Sequence, residues 1–276
     1  MHTKAHLHAA RWLVPTLFVV AGFITVFLVR RTASSLAEYT VPIPSWAYLL
    51  FFAIAVVVLS FLRKRTRTRV LWEALFTTAV FLGIWYVFIL LNLPFGVSLL
   101  LASFFTILHI FIHLVVFHDM FFLFGSIGAA LIFAGWLPAE VLLIVLVGFT
   151  VYDMVAGPRG GPVQHLAERL SSLGFIPGFA FPEKFVDIFH DLDSIGTGNW
   201  ILLGTGDVVL PLALVASASG WSVASGIVVT LGMLLGALFL IARRDLHPRA
   251  ALPGLSAGAS VPFLILLFMH AFFGVV

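Results

Sequence analysis

The chain has 276 residues, of which 62% are hydrophobic and only 10% charged, where soluble domains carry about 25% charged residues; its mean hydropathy of +1.15 excludes an ordinary water-soluble domain. A formal net charge of +3 and a pI near 9.6 do not make it a nucleic-acid binder, because basic residues of a membrane chain gather in cytoplasmic loops and set its orientation. With no cysteine, neither a disulfide nor a thiolate site can carry stability or chemistry.

A helix rises about 1.5 Å per residue, so crossing roughly 30 Å of hydrocarbon takes about 20 apolar residues. Nine runs approach that length: 12–29, 44–62, 71–91, 94–116, a short 119–135, 138–156, 199–218, 221–241 and 252–273. The first, Trp12 to Val29, ends at Arg30-Arg31 without a small-residue cleavage pattern, so it is expected to be a retained helix rather than a signal peptide. The pattern predicts an all-α integral membrane protein, multi-pass in the cell membrane, with nine transmembrane helices. With the N-terminus cytoplasmic, 13 of the 15 basic residues fall on the inner side, including the run from Arg63 to Arg69, and only Arg30 and Arg31 fall outside. The asymmetry predicts a cytoplasmic N-terminus and a C-terminus on the opposite side.

Three parts follow: an N-terminal six-helix portion over 1–156, a cytoplasmic loop over 157–198 and a C-terminal three-helix portion over 199–276. The loop is too long for a simple joint in a compact bundle. It opens with the helix-stopping cluster Gly157-Pro158-Arg159-Gly160-Gly161-Pro162. Val163, Leu166, Leu170 and Leu173 then recur at helical spacing, as in a segment lying on the membrane surface. The Phe-rich stretch from Phe175 to Phe189, broken by Pro177 and Pro182, fits interfacial packing better than a tenth span.

Four acidic residues do not sit plainly in a loop, a tail or at a helix end: Glu73, Glu140, Asp153 and Asp207. Glu73 and Glu140 lie near the first turns of their helices, where the positive dipole end tolerates a carboxylate. Asp153 and Asp207 lie inside spans, where ionisable groups are costly, face the bundle interior and by default point to function. Counted along helices, Asp207 stands roughly 10 Å in from Trp200 and Asp153 roughly 6 Å before Gly157, both in the cytoplasmic half. Spans joined by a loop run antiparallel, so side-by-side packing would bring the two carboxyls together. Such a pair cannot readily hold two negative charges, so the two share a proton. The ionised member can then activate a water while the protonated member binds a scissile carbonyl. That chemistry needs no metal or other cofactor. Gly204 and Gly206 permit close backbone approach and loosen the helix near Asp207, which suits an extended substrate.

Gly204-Thr205-Gly206-Asp207 follows Tyr152-Asp153 in the preceding span and is followed by Ala250-Ala251-Leu252-Pro253 at the start of the last one. At these residues the chain resembles the presenilin and signal peptide peptidase family of intramembrane aspartyl proteases, marked by YD, GxGD and PAL motifs on a nine-span plan. The resemblance implies an intramembrane-cleaving aspartic protease acting on transmembrane peptide or protein substrates in the lipid bilayer. It implies Asp153 and Asp207 as the catalytic pair, supported by Tyr152, Gly204, Thr205, Gly206, Ala251, Leu252 and Pro253. Ala250 stands where the family has the first proline of its third motif.

Two other readings use the same acids. Prepilin and preflagellin peptidases also carry a GxGD aspartate, but typically with a lysine two positions on, where this chain has Val209, and with fewer spans. An ion-coupled transporter also buries carboxylates, but no inverted repeat with matching broken helices is evident here. His109 and His113 have the spacing by which one helix face can hold zinc, yet lack a glutamate between them and a third ligand; the plainer reading is a polar interhelical contact. Asp191-Leu192-Asp193-Ser194-Ile195-Gly196 starts like a calcium loop but lacks the closing glutamate, and reads as a solvated loop. Gly232 and Gly236, with Ser222 and Gly226, form a small-residue ridge for helix packing, either within the bundle or between copies in a homo-oligomer.

Overall fold

The computed structural model describes residues 8–36, 69–156, 170, 175–182, 185–192, 200–242 and 251–273. The expected second span, 44–62, lies outside them, as do the arginine-rich run up to Thr68, most of the 157–174 segment and Ala250. Eight α-helices are described: α1 (His8–Leu36), α2 (Arg69–Leu90), α3 (Phe95–Phe111), α4 (Val115–Trp136), α5 (Ala139–Ala156), α6 (Thr205–Trp221), α7 (Val223–Ala242) and α8 (Ala251–Phe273). Two strands, β1 (Gly178–Pro182) and β2 (Trp200–Gly204), lie between α5 and α6.

Apolar residues cover the outer faces as well as the inner ones. Leu100, Phe104, Ile107 and Phe111 of α3 and Leu235 and Phe239 of α7 are all exposed, a surface suited to lipid rather than water. Four segments, Trp12–Thr32, Val70–Leu90, Val115–Trp136 and Leu255–Phe272, are long and apolar enough to cross a membrane. The chain is a multi-pass helical membrane protein.

Because lipid is as apolar as leucine, close packing rather than hydrophobicity selects the helix contacts, and small residues mark them. A Cβ on Gly83 or Gly128 would run into the backbone of Gly125 or Gly83 across the α2–α4 crossing. On α7, Gly232 meets the Gly258 carbonyl and Pro262 of α8, and Gly258 in turn meets Gly236. The ridge therefore packs within the bundle, but not along one face. Gly226 points to Ser219 and Val26 instead, since six residues at 3.6 per turn carry it about 120° away from Gly232.

At the centre stands α6, whose Val208, Leu212, Ala213, Leu214, Val215, Ala216 and Ala218 are all buried. It contacts α1, α4, α5, α7 and α8, as a helix apolar on every side must. The acid-bearing α5 packs against α8 and α6, with a smaller contact to α4.

Two boundaries differ from expectation. The fourth span stops at Phe111 and the fifth begins at Val115, so the joint is Ile112–Leu114 rather than 117–118. No proline or glycine breaks the helix there. The chain becomes extended because it pairs with the loop: the Val115 N–H donates to the His190 carbonyl at 3.1 Å and the Leu192 N–H to the His113 carbonyl at 2.8 Å. The α3–α4 joint and residues 190–192 thus share one end of the bundle. The expected 199–218 helix, in turn, is split into β2 and α6.

The Phe-rich stretch likewise departs from simple interfacial packing. Every residue of β1 is buried, and β1 pairs antiparallel with β2 from Gly178↔Gly204 to Pro182↔Trp200. Leu170 is buried with Trp72 and Phe175 against Phe76, a packed contact rather than a lipid-surface one. Among the described residues of the stretch, only the 3-10 turn Phe185–Phe189 exposes large side chains, those of Phe185, Val186 and Phe189.

Candidate active site

Asp207 owes its place to the change from strand to helix. Gly204 closes β2 and caps α6 with an extended backbone (φ −63°, ψ 145°), which puts Asp207 in the first helical turn rather than two turns deep. Its carboxylate lies beside the cap, with Oδ2 3.5 Å from where a Cβ on Gly204 would stand, an acid in the first turn next to the positive helix end. Pro211 follows four residues later within α6; having no N–H, it leaves the Asp207 carbonyl without its helical donor.

Thr205 ties this start to β1, donating its N–H and its hydroxyl to the Pro177 carbonyl at 3.4 and 3.5 Å. Gly178 sits so close to β2 that a Cβ would strike the Leu203 carbonyl. Beside Gly206 nothing stands within 4 Å of where a Cβ would be, so the chain before Asp207 has an open flank.

Asp153 lies three residues before the end of α5, half-buried. The structure places the two acids on contacting helices, one three residues from the end of α5 and one in the first turn of α6. Tyr152 is 38% exposed on the surface of α5. Ala251, Leu252 and Pro253 open α8, which packs against both acid-bearing helices; their side chains lie outside the described residues. Glu140 stands in the first turn of α5, at the opposite end of that helix from Asp153, and Glu73 near the start of α2.

His109 and His113 do not form a helical pair, because α3 ends before His113. His109 instead stacks on Phe121 at 4.2 Å and approaches His118, with ring centroids 5.3 Å apart. Among the described residues no group of three or more His, Asp or Glu side chains could hold a metal ion.

A third acid was overlooked in the sequence. Asp119, expected at the edge of a loop, lies in the second turn of α4, where its Oδ1 accepts the Ala180 N–H at 2.9 Å. Its neighbour His118, 3% exposed, donates from Nε2 to the Gly178 carbonyl at 2.8 Å. The signal was the apolar sequence on either side of His118-Asp119, which has no Gly, Pro, Asn or Ser from Ile112 to Phe124.

No family model and no curated protein matches the chain. Its fold is similar to two solved structures, each of a presenilin family intramembrane aspartate protease. The one in space group C222 is 23% identical, with a TM-score of 0.60, over 91% of this chain and 94% of that one. The one in space group P2 is 22% identical, with a TM-score of 0.63, over 94% and 97%. The resemblance carried by the YD, GxGD and PAL-like motifs thus extends to the fold across nearly the whole length.

Proposed function

We propose that the chain is an intramembrane aspartyl endopeptidase that hydrolyses peptide bonds of membrane-spanning substrates, with Asp153 and Asp207 as its catalytic pair. The observation that carries this reading is the contact between the two helices that bear these acids, Asp153 near the end of α5 and Asp207 in the first turn of α6, in a fold similar to presenilin family intramembrane aspartate proteases.

The chemistry follows from the pair. Two carboxyls in a poorly solvated site share one proton. The ionised member takes a proton from a water held between them, the water oxygen adds to the scissile carbonyl carbon, and the protonated member donates to the carbonyl oxygen. Return of a proton to the amide nitrogen breaks the C–N bond, leaving a new carboxyl and a new amine. The open flank at Gly206 suits a substrate strand that must approach the backbone closely. In this reading the site end of the bundle faces the cytoplasm, the N-terminus lies on that same side, and Tyr152, Thr205 and the Ala251-Leu252-Pro253 entry to α8 support the substrate.

Asp153→Asn and Asp207→Asn are each expected to abolish cleavage of a reconstituted membrane-helix substrate while the protein stays folded. Cleavage retained by either variant overturns the assignment. Hydroxyl-bearing peptide mimics of the tetrahedral intermediate are expected to inhibit the enzyme, and chelators to leave it active.

A further inference from the structure

In a strand the N–H and C=O of one residue point to the same edge, and residues two apart share that edge. The Gly178 carbonyl and the Ala180 N–H therefore lie on one edge of β1, the edge taken by His118 and Asp119 of α4, and the opposite edge faces β2. One donor to the carbonyl and one acceptor from the N–H, two residues apart, is what a third strand would supply. Here a helix supplies it with side chains, closing an edge that would otherwise lie buried and unpaired.

That edge is mechanically close to Asp207. Pro177, next to Gly178, receives Thr205; Gly178 is in backbone contact with Leu203 and Gly204; and the Asp207 carboxylate borders Gly204, 3.5 Å from where a Cβ there would stand. We propose that His118 and Asp119 are positioning residues for the acid pair: clamped to β1, they hold the strand pair from which α6 starts, and so set where Asp207 stands relative to Asp153. The proposal rests on the catalytic reading of that pair.

The test compares the full-length wild type with Asp119→Asn, Asp119→Ala, His118→Gln and His118→Phe. It measures kcat and KM on a single-span membrane peptide and hydrogen exchange of the amides of 178–182 and 200–206. The alanine and phenylalanine variants remove one clamp bond each. They are expected to lose about 10- to 100-fold in kcat, as a displacement near 1 Å does, with KM little changed and faster exchange in both strands. Asparagine keeps the acceptor and glutamine the donor, so these variants are expected to recover most of the kcat and the slow exchange. Wild-type kcat in Asp119→Ala and His118→Phe overturns the proposal. So does an asparagine variant as impaired as the alanine one, since the hydrogen bond is then not what matters; where Asp119→Ala does not fold, the asparagine variant is compared with the wild type, and a loss of about 10-fold or more in its kcat overturns the proposal. If the wild type cleaves nothing yet exchange follows the variants as stated, the clamp stands and the catalytic reading falls.

Discussion

Glycines test the helix contacts one residue at a time. Gly128→Ala and Gly83→Ala place a methyl against backbone across the α2–α4 crossing, and each is expected to destabilise by about 1–3 kcal/mol, as overpacking does. Gly148→Ala, with nothing within 4 Å in the interior of α5, is expected to be neutral or to stabilise by about 0.5–1 kcal/mol. Thermal unfolding in one detergent orders the three. Gly206→Ala also meets nothing, so it is expected to unfold at the wild-type temperature; a fall in cleavage at unchanged stability then comes from lost room for substrate. At this scale Asp153 and Asp207 were legible in the sequence because a carboxylate inside an apolar run is costly enough to need a reason. Asp119 was missed because its run was split at the wrong place, which made an acid of the second helical turn the first residue of its span.

Among elements, the strand pair was the least legible. Trp200-Ile201-Leu202-Leu203-Gly204 is a short apolar run continuous with a helix, and periodicity alone cannot tell such a strand from helix. Its partner, Gly178 to Pro182, is separated from it in sequence, follows Pro177 and ends on Pro182, so only tertiary pairing reveals either one. The α3–α4 joint has the same origin, made by hydrogen bonds to residues 190 and 192 rather than by a breaker in its own sequence. Leu192→Pro removes the N–H donated to the His113 carbonyl. Limited proteolysis is expected to cut the 185–192 segment faster in that variant while leaving the helices intact; an unchanged cutting rate would show that this bond does not hold the segment.

For the whole molecule, the helical membrane plan was legible from hydropathy, while the packing order was not, since every helix is apolar outside as well as inside. The last helix matters more than its terminal position implies, because it contacts α5, α6 and α7. A chain ending at residue 250 is expected to lose the Gly258 seat of α7 and much of the packing around α5. Its expected outcome is a large fall in thermal stability with no cleavage, read by unfolding and by assay; a stable, active truncation would contradict this contact map.

The dependence of α5 on α6 and α8 also sets an order in time. During synthesis the helix carrying Asp153 is completed about fifty residues before Asp207 exists and before the last helix can brace it. No nascent chain shorter than 207 residues holds both acids, and none lacking α8 holds them between their mature neighbours. Under the proposed function, cutting power arrives only after α8 has been made, so a ribosome-bound chain short of α8 passes among other unfinished membrane helices without being able to cleave them.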